Sequence, residues 1–352
     1  MTSRSTIYEV AGISGVSTAT VSRVMHDGAG YSPATRDRVL AAAAQLGWVP
    51  SGPARGLAFR RAGIVGLLFP DLGSSGEAEQ ESPLFVDQVI RGAERAATAV
   101  GDAVLIAATR GASGRKLAFS VAGKVDGLVV MARSLAQHDI QAISRSVPVV
   151  VFAVHSTRNR HDCLAADNRG GVRQLVSHLV LEHGHTDLAF VGGPSRSPDS
   201  VERFAGFREA LRTAGLPDQK TPDGDGGFTQ TGGARAIREL LADRRPPGAI
   251  VCGNDEMAIG ALTALREARL RVPGDVAVTG FDDIASARHM RPPLTTVHQP
   301  MRELGEQAVQ LLLERLSEPR GLRRSVVLPT QLVIRASCGC RRRPADRLRK
   351  AS

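Results

Sequence analysis

Two kinds of hydrophobic pattern divide the chain. Over the first fifty residues, apolar positions recur at helical spacing. Thr6 can cap a helix running from Ile7 to about Gly12, with Val10 and Ala11 facing inward. Ser17 caps a second helix, Thr18 to Met25, whose Val21 and Val24 form a short buried stripe. Ser32-Pro33 opens a third, in which Thr35, Val39, Ala42, Ala43 and Leu46 repeat at helical spacing up to Gly47. Trp48 then closes a small core. Pro50-Ser51-Gly52-Pro53 interrupts this pattern. The segment that follows, residues 53–58, is read either as a linker or as a helix too short to hold alone.

From Ala62 onward, nearly continuous apolar runs replace the stripes. Residues 63–69, 104–108, 125–131 and 147–153 are predicted strands, with a helix from Phe85 to Val100. A second series starts near Asn168. Its helices cover 170–182, 202–215, 232–242, 258–268 and 303–316, and its strands 188–192, 249–253 and 276–281. Strands apolar on both faces belong to parallel sheets, and their alternation with helices predicts a doubly wound α/β fold. Two such halves imply a cleft, with ligands outside the strand C-termini. The fold class is therefore an all-α helix-turn-helix headpiece on an α/β two-lobed core. The expected divisions are a headpiece at 1–49, a hinge at 50–61, a core at 62–337 and a basic tail at 338–352.

Two short helices joined by a glycine-containing turn form a helix-turn-helix, whose second helix enters the major groove. Thr18, Ala19, Ser22 and Arg23 face outward on that helix. The first two are small enough for close approach and can meet thymine methyls, and Arg23 can span guanine O6 and N7. An ordinary solvated helix gives the same pattern. Leu57, in the short segment after Pro53, can wedge between base pairs from the minor groove when two copies meet on DNA.

The polar residues just after the core strands are site candidates: Asp71, Asn254, Asp255, Asp282 and Asp283, with Arg203 at a helix start. Carboxylates and an amide accept hydrogen bonds from sugar hydroxyls, and arginine offers a forked donor. The Phe228 face suits a sugar ring. Local capping is the competing reading, and Asp283 and Asn168 fit it best. No nucleophile elbow, P-loop or dinucleotide fingerprint is present, so no enzyme and no cofactor are expected. His183 and His185 read as loop residues without carboxylate or cysteine company. Cys163, Cys252, Cys338 and Cys340 give no disulfide framework, and no Cys/His set near Cys338 and Cys340 in the sequence suggests a metal.

Charge sharpens the division. The 352 residues carry a formal charge of +10. Residues 1–61 hold +4 and residues 338–352 hold +5, leaving +1 for everything between. The head's charge suits phosphate attraction. The tail's has no assigned role beyond non-specific DNA affinity. No run of about 18 uncharged apolar residues is present and no apolar signal region leads the chain, so a cytoplasmic protein without membrane contact is expected.

The stretch from Glu9 to Val24, Glu-Val-Ala-Gly-Ile-Ser-Gly-Val-Ser-Thr-Ala-Thr-Val-Ser-Arg-Val, closely resembles the headpiece of the lactose-repressor/galactose-repressor family of bacterial transcription regulators. Ala54-Arg55-Gly56-Leu57 resembles that family's hinge helix. Val125-Asp126-Gly127, Arg203-Phe204-Ala205-Gly206-Phe207, Asn254-Asp255 and Gly280-Phe281-Asp282-Asp283 resemble its periplasmic-binding-protein-like core of type I. The resemblance spans about residues 6–337. It implies a homodimer on a pseudo-palindromic double-stranded operator, with Thr18, Ala19 and Arg23 at major-groove positions and Ser17, Thr20 and Ser22 nearer phosphates. Arg55 and Leu57 fall in the DNA-contacting hinge. Asp71, Phe85, Arg203, Phe228, Asn254 and Asp282 fall at or near effector positions.

The implied function is repression of sugar-utilisation genes, controlled by a mono- or disaccharide. A purine-like corepressor or an activator role is the alternative, and a solute-binding module or a sugar-processing enzyme fits less well. Ser51, Pro53, His26 and a longer loop over 71–84 depart from the family pattern. The tail lacks leucine heptads, so a dimer rather than a tetramer is implied.

Overall fold

Thr6 and Glu9 open the first helix with a reciprocal capping box. Thr6 Oγ1 accepts from the Glu9 amide at 3.4 Å, and Glu9 Oε2 accepts from the Thr6 amide at 2.6 Å. The computed structural model describes residues 5–25, 29–49, 61–70, 83–109, 111–154 and 160–340. Helix α1 (Ile7–Ser14) runs past Gly12 to a left-handed Gly15. The sequence reading stopped it early because a glycine was taken as a terminator. Here Gly12 stays helical, and Ser14 Oγ donates back to Val10 O at 2.6 Å. Helix α2 (Thr18–Met25) starts at Ser17, whose Oγ accepts from the Thr20 amide at 3.2 Å. Helix α3 (Pro33–Gln45) starts at Ser32 in the same manner. Val10, Val21, Val24, Val39, Ala42 and Ala43 form the core, with Leu46 and Trp48 packed on it.

By internal contacts the chain forms two units, Met1–Gly63 and Ile64–Ser352. In the second, the chain builds β1 (Ile64–Pro70), α4 (Pro83–Thr98), β2 (Ala103–Thr109), α5 (Gly111–Ala122), β3 (Gly127–Met131), α6 (Gln137–Ile143), β4 (Val149–Phe152) and β5 (Asp162–Ala166). It then crosses to a second lobe. There it forms α7 (Asn168–His183), β6 (Leu188–Gly192), α8 (Pro198–Thr213), β7 (Gly224–Asp225), α9 (Gln230–Asp243), β8 (Ala249–Cys252), α10 (Asp255–Glu267), β9 (Ala277–Thr279) and β10 (Thr296–His298). It returns as α11 (Met301–Ser317), which packs on α4, and β11 (Ser325–Leu328), before β12 (Gln331–Val333) pairs with β10.

The first lobe is a parallel sheet ordered β11-β5-β4-β3-β1-β2, and the second a parallel sheet ordered β7-β6-β8-β9. The expected two-lobed α/β architecture is present. Sequence reading passed over β5, β11 and β12, which are short and carry the crossings.

One buried ion pair fastens the first return. Arg315 donates from Nε and Nη2 to the two carboxylate oxygens of Asp162, at 2.7 and 2.9 Å. The Arg324 amide adds a third bond to Asp162. Burial works against the Asp162 charge, but the Arg315 hydrogen bonds, the Arg324 amide and the Arg315 and Arg323 charges together outweigh it and hold the carboxyl below its usual value. The end of α11 is thereby tied to β5. No helix among the described residues is long and apolar enough to cross a membrane.

Candidate functional site

At the C-terminal ends of the second lobe's strands lies a small, partly open pocket that Phe85 on α4 of the first lobe also lines. Its walls are Phe85, Asp199, Arg203, Phe228, Asn254, Asp282 and Gln299. Five of the six residues proposed from sequence for the effector thus share one cavity. The sixth, Asp71, lies outside the described residues, as do Arg55 and Leu57.

Arg203 organises the site. Its side chain is 4% exposed. Nε donates to Asn168 Oδ1 at 2.7 Å, Nη1 donates to Gly253 O at 2.6 Å, and Nη2 lies 3.4 Å from Asp282 Oδ1. The guanidinium lies 3.8 Å above the centre of the Phe281 ring, a close cation–π contact. Sequence reading placed Arg203 near a helix start. In the structure α8 begins at Pro198, and Arg203 lies inside it, facing the cleft.

Asn168 was read as a cap, but Asp167 is the cap of α7, accepting from the Gly170 amide at 2.8 Å. Asn168 instead bridges Arg203 and Asp199, donating to Asp199 Oδ1 at 2.7 Å. Asn254 does cap α10, accepting from the Met257 amide at 2.9 Å, and also donates to Phe228 O at 3.2 Å. Phe228 has a left-handed φ of 62°. Its ring lies where a Cβ on Gly193 would stand, so the close approach requires glycine there.

Asp282 is held at φ 116°, an unfavourable value for a side-chain-bearing residue. Its amide donates to Val297 O at 2.8 Å, and Gln299 Nε2 donates to its Oδ1 at 2.8 Å. Burial pushes its carboxyl up to about 7; Arg203 opposes this and Asp199 reinforces it. Burial likewise raises Asp199, against Arg203 and Asn168.

Asp199 and Gln299 were not singled out from sequence. Asp199 sits in the first turn of α8, whose start was misplaced, and Gln299 follows β10, a strand three residues long. Asp255 is wholly buried, accepting from Thr296 Oγ1 at 2.6 Å and from the Ile284 amide at 2.9 Å, and burial raises its carboxyl well above the usual range. It fastens the strand ends and does not line the cavity. Asp283, read as a local cap, instead pairs through its side chain with Arg335 and His298, distant along the chain.

A second cluster corrects the reading of the histidines and cysteines. His183 is the last residue of α7, not a loop residue, and its Nε2 is 3.3 Å from Cys340 Sγ and 3.3 Å from His178 Nε2. Cys338, assigned to the tail, is 1% exposed in the second lobe's core. The expectation of no companions for these cysteines failed because His178 and Cys338 are 160 residues apart and meet only when the chain returns through β12.

In the headpiece, Ala19 and Arg23 are exposed on α2, while Thr18, Thr20 and Ser22 are half-buried. Ser17 and Thr20 share a hydroxyl contact of 3.0 Å. The outward face of α2 therefore presents a small residue and an arginine one helical turn apart.

A helix-turn-helix head and a two-lobed core with a polar cleft define a DNA-binding regulator that carries a small-molecule site. Comparison with known proteins narrows this. The model of bacterial regulatory proteins of the lacI family matches residues 6–51, and that of a periplasmic binding protein-like domain matches residues 176–338. The ribose operon repressor of Escherichia coli (strain K12) is 35% identical over 322 residues, 89% of this chain and 94% of that protein. The lac repressor dimer bound to operator and the anti-inducer ONPF matches with a TM-score of 0.82 at 28% identity, over 96% of this chain and 99% of that one. The complex of the transcriptional regulator CelR with cellobiose matches with a TM-score of 0.70 at 32% identity, over 95% and 100%. The chain belongs to the lacI family of bacterial regulatory proteins. It is a sequence-specific DNA-binding regulator and not an enzyme.

The position of Asp282 has a consequence for stability. Its folded-state pKa lies above the ordinary carboxyl value, so folding favours the proton. The stability this gives is complete below about pH 4 and is lost as pH rises through about 7. Asp282→Asn removes that dependence. The melting temperature of the variant relative to wild type should rise by several degrees between about pH 5 and about pH 8, read by differential scanning calorimetry. A flat difference across that range would mean the carboxyl titrates normally.

Proposed function

We propose that this chain is a cytoplasmic homodimeric repressor that binds a pseudo-palindromic operator and is released by a monosaccharide held between the lobes. The observation that carries the reading is the cleft itself. Two carboxylates, two amides and a guanidinium converge with Phe85 and Phe228 on one small pocket. The name of the ribose operon repressor, among the relatives, points the same way. Asp71 is proposed to add to this site. Effector-driven closure would act on the hinge, where Arg55 and Leu57 are proposed to meet the minor groove, and so lower operator affinity. Ser17, Thr20 and Ser22 are proposed at phosphates, with Thr18, Ala19 and Arg23 at base edges.

The dimer reading rests on the first lobe. Strand β2 ends its sheet and its Ile106 is 45% exposed, and Leu117 and Phe119 on α5, which packs on β2, are 40% and 38% exposed. An open edge flanked by apolar side chains suits a second copy of the same surface. A purine corepressor keeps a foothold, because the two phenylalanine faces can also hold a flat base.

A thermal-shift screen of pentoses, hexoses, disaccharides and purine bases tests the effector. A monosaccharide should raise the melting temperature and release bound operator; a purine that tightens operator binding would replace this reading. Arg23→Ala should reduce discrimination between operator and scrambled DNA by about 1–3 kcal/mol in competition binding. Equal losses on both DNAs would remove Arg23 from base reading. Ile106→Lys should convert the dimer to a folded monomer in sedimentation and weaken operator binding. An unchanged dimer would place the interface elsewhere.

A further inference from the structure

At the C-terminal end of α7, two imidazoles and two thiols face one point. The ligand atoms of His178, His183, Cys338 and Cys340 all lie within 4.8 Å of one another. His178 Nε2 is 3.3 Å from His183 Nε2 and 3.6 Å from both Cys338 Sγ and Cys340 Sγ. His183 Nε2 is 3.3 Å from Cys340 Sγ. A tetrahedral zinc with Zn–N of about 2.0–2.1 Å and Zn–S of about 2.3 Å sets its ligands about 3.3 Å apart for N–N and about 3.6 Å apart for N–S. The His178–His183 and both His178–cysteine spacings match edges of that tetrahedron, and the His183–Cys340 spacing is about 0.3 Å shorter. Pairwise hydrogen bonding would satisfy these groups two at a time and would not draw all four atoms to a common centre.

We propose that His178, His183, Cys338 and Cys340 form a closed, structural zinc site that clamps the C-terminal segment to α7. The surroundings are built for it. His183 is the last helical residue before the left-handed Gly184, so it and His178 approach the point from the end of one helix. Gly339, at φ 103°, turns the chain between the two cysteines, and a Cβ there would stand 3.3 Å from His183 Nδ1. Only glycine allows that turn so close to the ring. Thr295 Oγ1 accepts from the Arg335 amide at 2.9 Å, which leaves its own proton for Cys338 Sγ at 3.2 Å. A hydroxyl donating to sulfur favours the thiolate and orients it. Four protein ligands leave no position for substrate, which marks the site as structural rather than catalytic. The soft-plus-imidazole donor set in this geometry selects zinc over magnesium or calcium.

The clamp closes a loop of 160 residues between His178 and Cys338. It also fixes the segment carrying Arg335 and Ser337. Ser337 Oγ accepts from the Thr295 amide at 2.8 Å and donates to Val278 O at 2.5 Å. The site lies apart from the cleft residues, so zinc should change stability and leave the choice of effector untouched.

The test uses the full chain without an affinity tag, expressed with added zinc and purified without chelator. Metal analysis should give one zinc per chain in wild type and a substoichiometric level in Cys340→Ser and His183→Ala, both at partly exposed positions. Circular dichroism and operator binding check that these variants fold. EDTA should lower the melting temperature of wild type by several degrees and leave the variants unmoved. Cobalt loaded into wild type should show the visible bands of a tetrahedral ion and a thiolate charge-transfer band. Zinc-free wild type, a Cys338–Cys340 disulfide in its place, equal zinc in the variants, or cobalt spectra without thiolate character would each overturn the proposal.

Discussion

The second lobe depends on giving a buried guanidinium its acceptors. Arg203 is nearly inaccessible, and an unpaired cation there would be costly. Its requirements set the surroundings. Asn168 must turn inward from the first residue of α7, Gly253 must leave its carbonyl free of the sheet, and Asp282 must be held at a positive φ to bring its carboxylate within reach. Phe281 supplies an aromatic face beneath. Four chain segments, α7, α8 and the ends of β8 and β9, are thus registered by one side chain. The strain at Asp282 is tolerated because the backbone bond to Val297 and the bond from Gln299 both hold it in place.

The chain's path explains why distant residues meet. Each crossing between lobes runs through a short strand or its end: β5 into α7, β10 into α11, and β11 into β12. The second crossing brings Gln299 to the cleft. The third carries Arg335 to Asp283 and the two terminal cysteines to α7. The Asp162–Arg315 pair sits at the far side of these returns, tying the end of α11 to β5 before β11 joins the sheet.

The same path marks the limit of what could be read from residues alone. Periodicity found the three headpiece helices and the long strands, because Val21 with Val24, or the run from Ile64 to Phe69, signals burial without any tertiary knowledge. The rule that polar residues after strands line a cleft found Asn254 and Asp282. It could not find Gln299, since a strand of three residues carries no periodic signal, nor Asp199, since the start of α8 was misjudged. The same rule proposed Asp255, which the fold uses to hold Thr296 and Ile284. A carboxylate's surroundings, not its place after a strand, separate the two roles. The histidine–cysteine cluster was invisible for the plainest reason: its halves are far apart in sequence.

The charge count inside the cleft favours one chemical kind of ligand. Asp199 and Asp282 both lie beside the Arg203 guanidinium; burial raises both carboxyls, and the Asp199 charge raises Asp282 further. Arg203 already spends its donors on Asn168, Gly253 and Asp282. The carboxylate oxygens offer acceptors to the proposed effector. A polyol brings a hydroxyl proton on nearly every ring carbon, stabilises the charged carboxylates and presents C–H faces to Phe85 and Phe228. A purine brings an aromatic face but fewer donors than a polyol, so the proposed reading favours the polyol. In the proposed reading, a polyol that donates to Asp282 would draw it toward its ionised form, coupling ligand uptake to proton release and to the Asp282 turn.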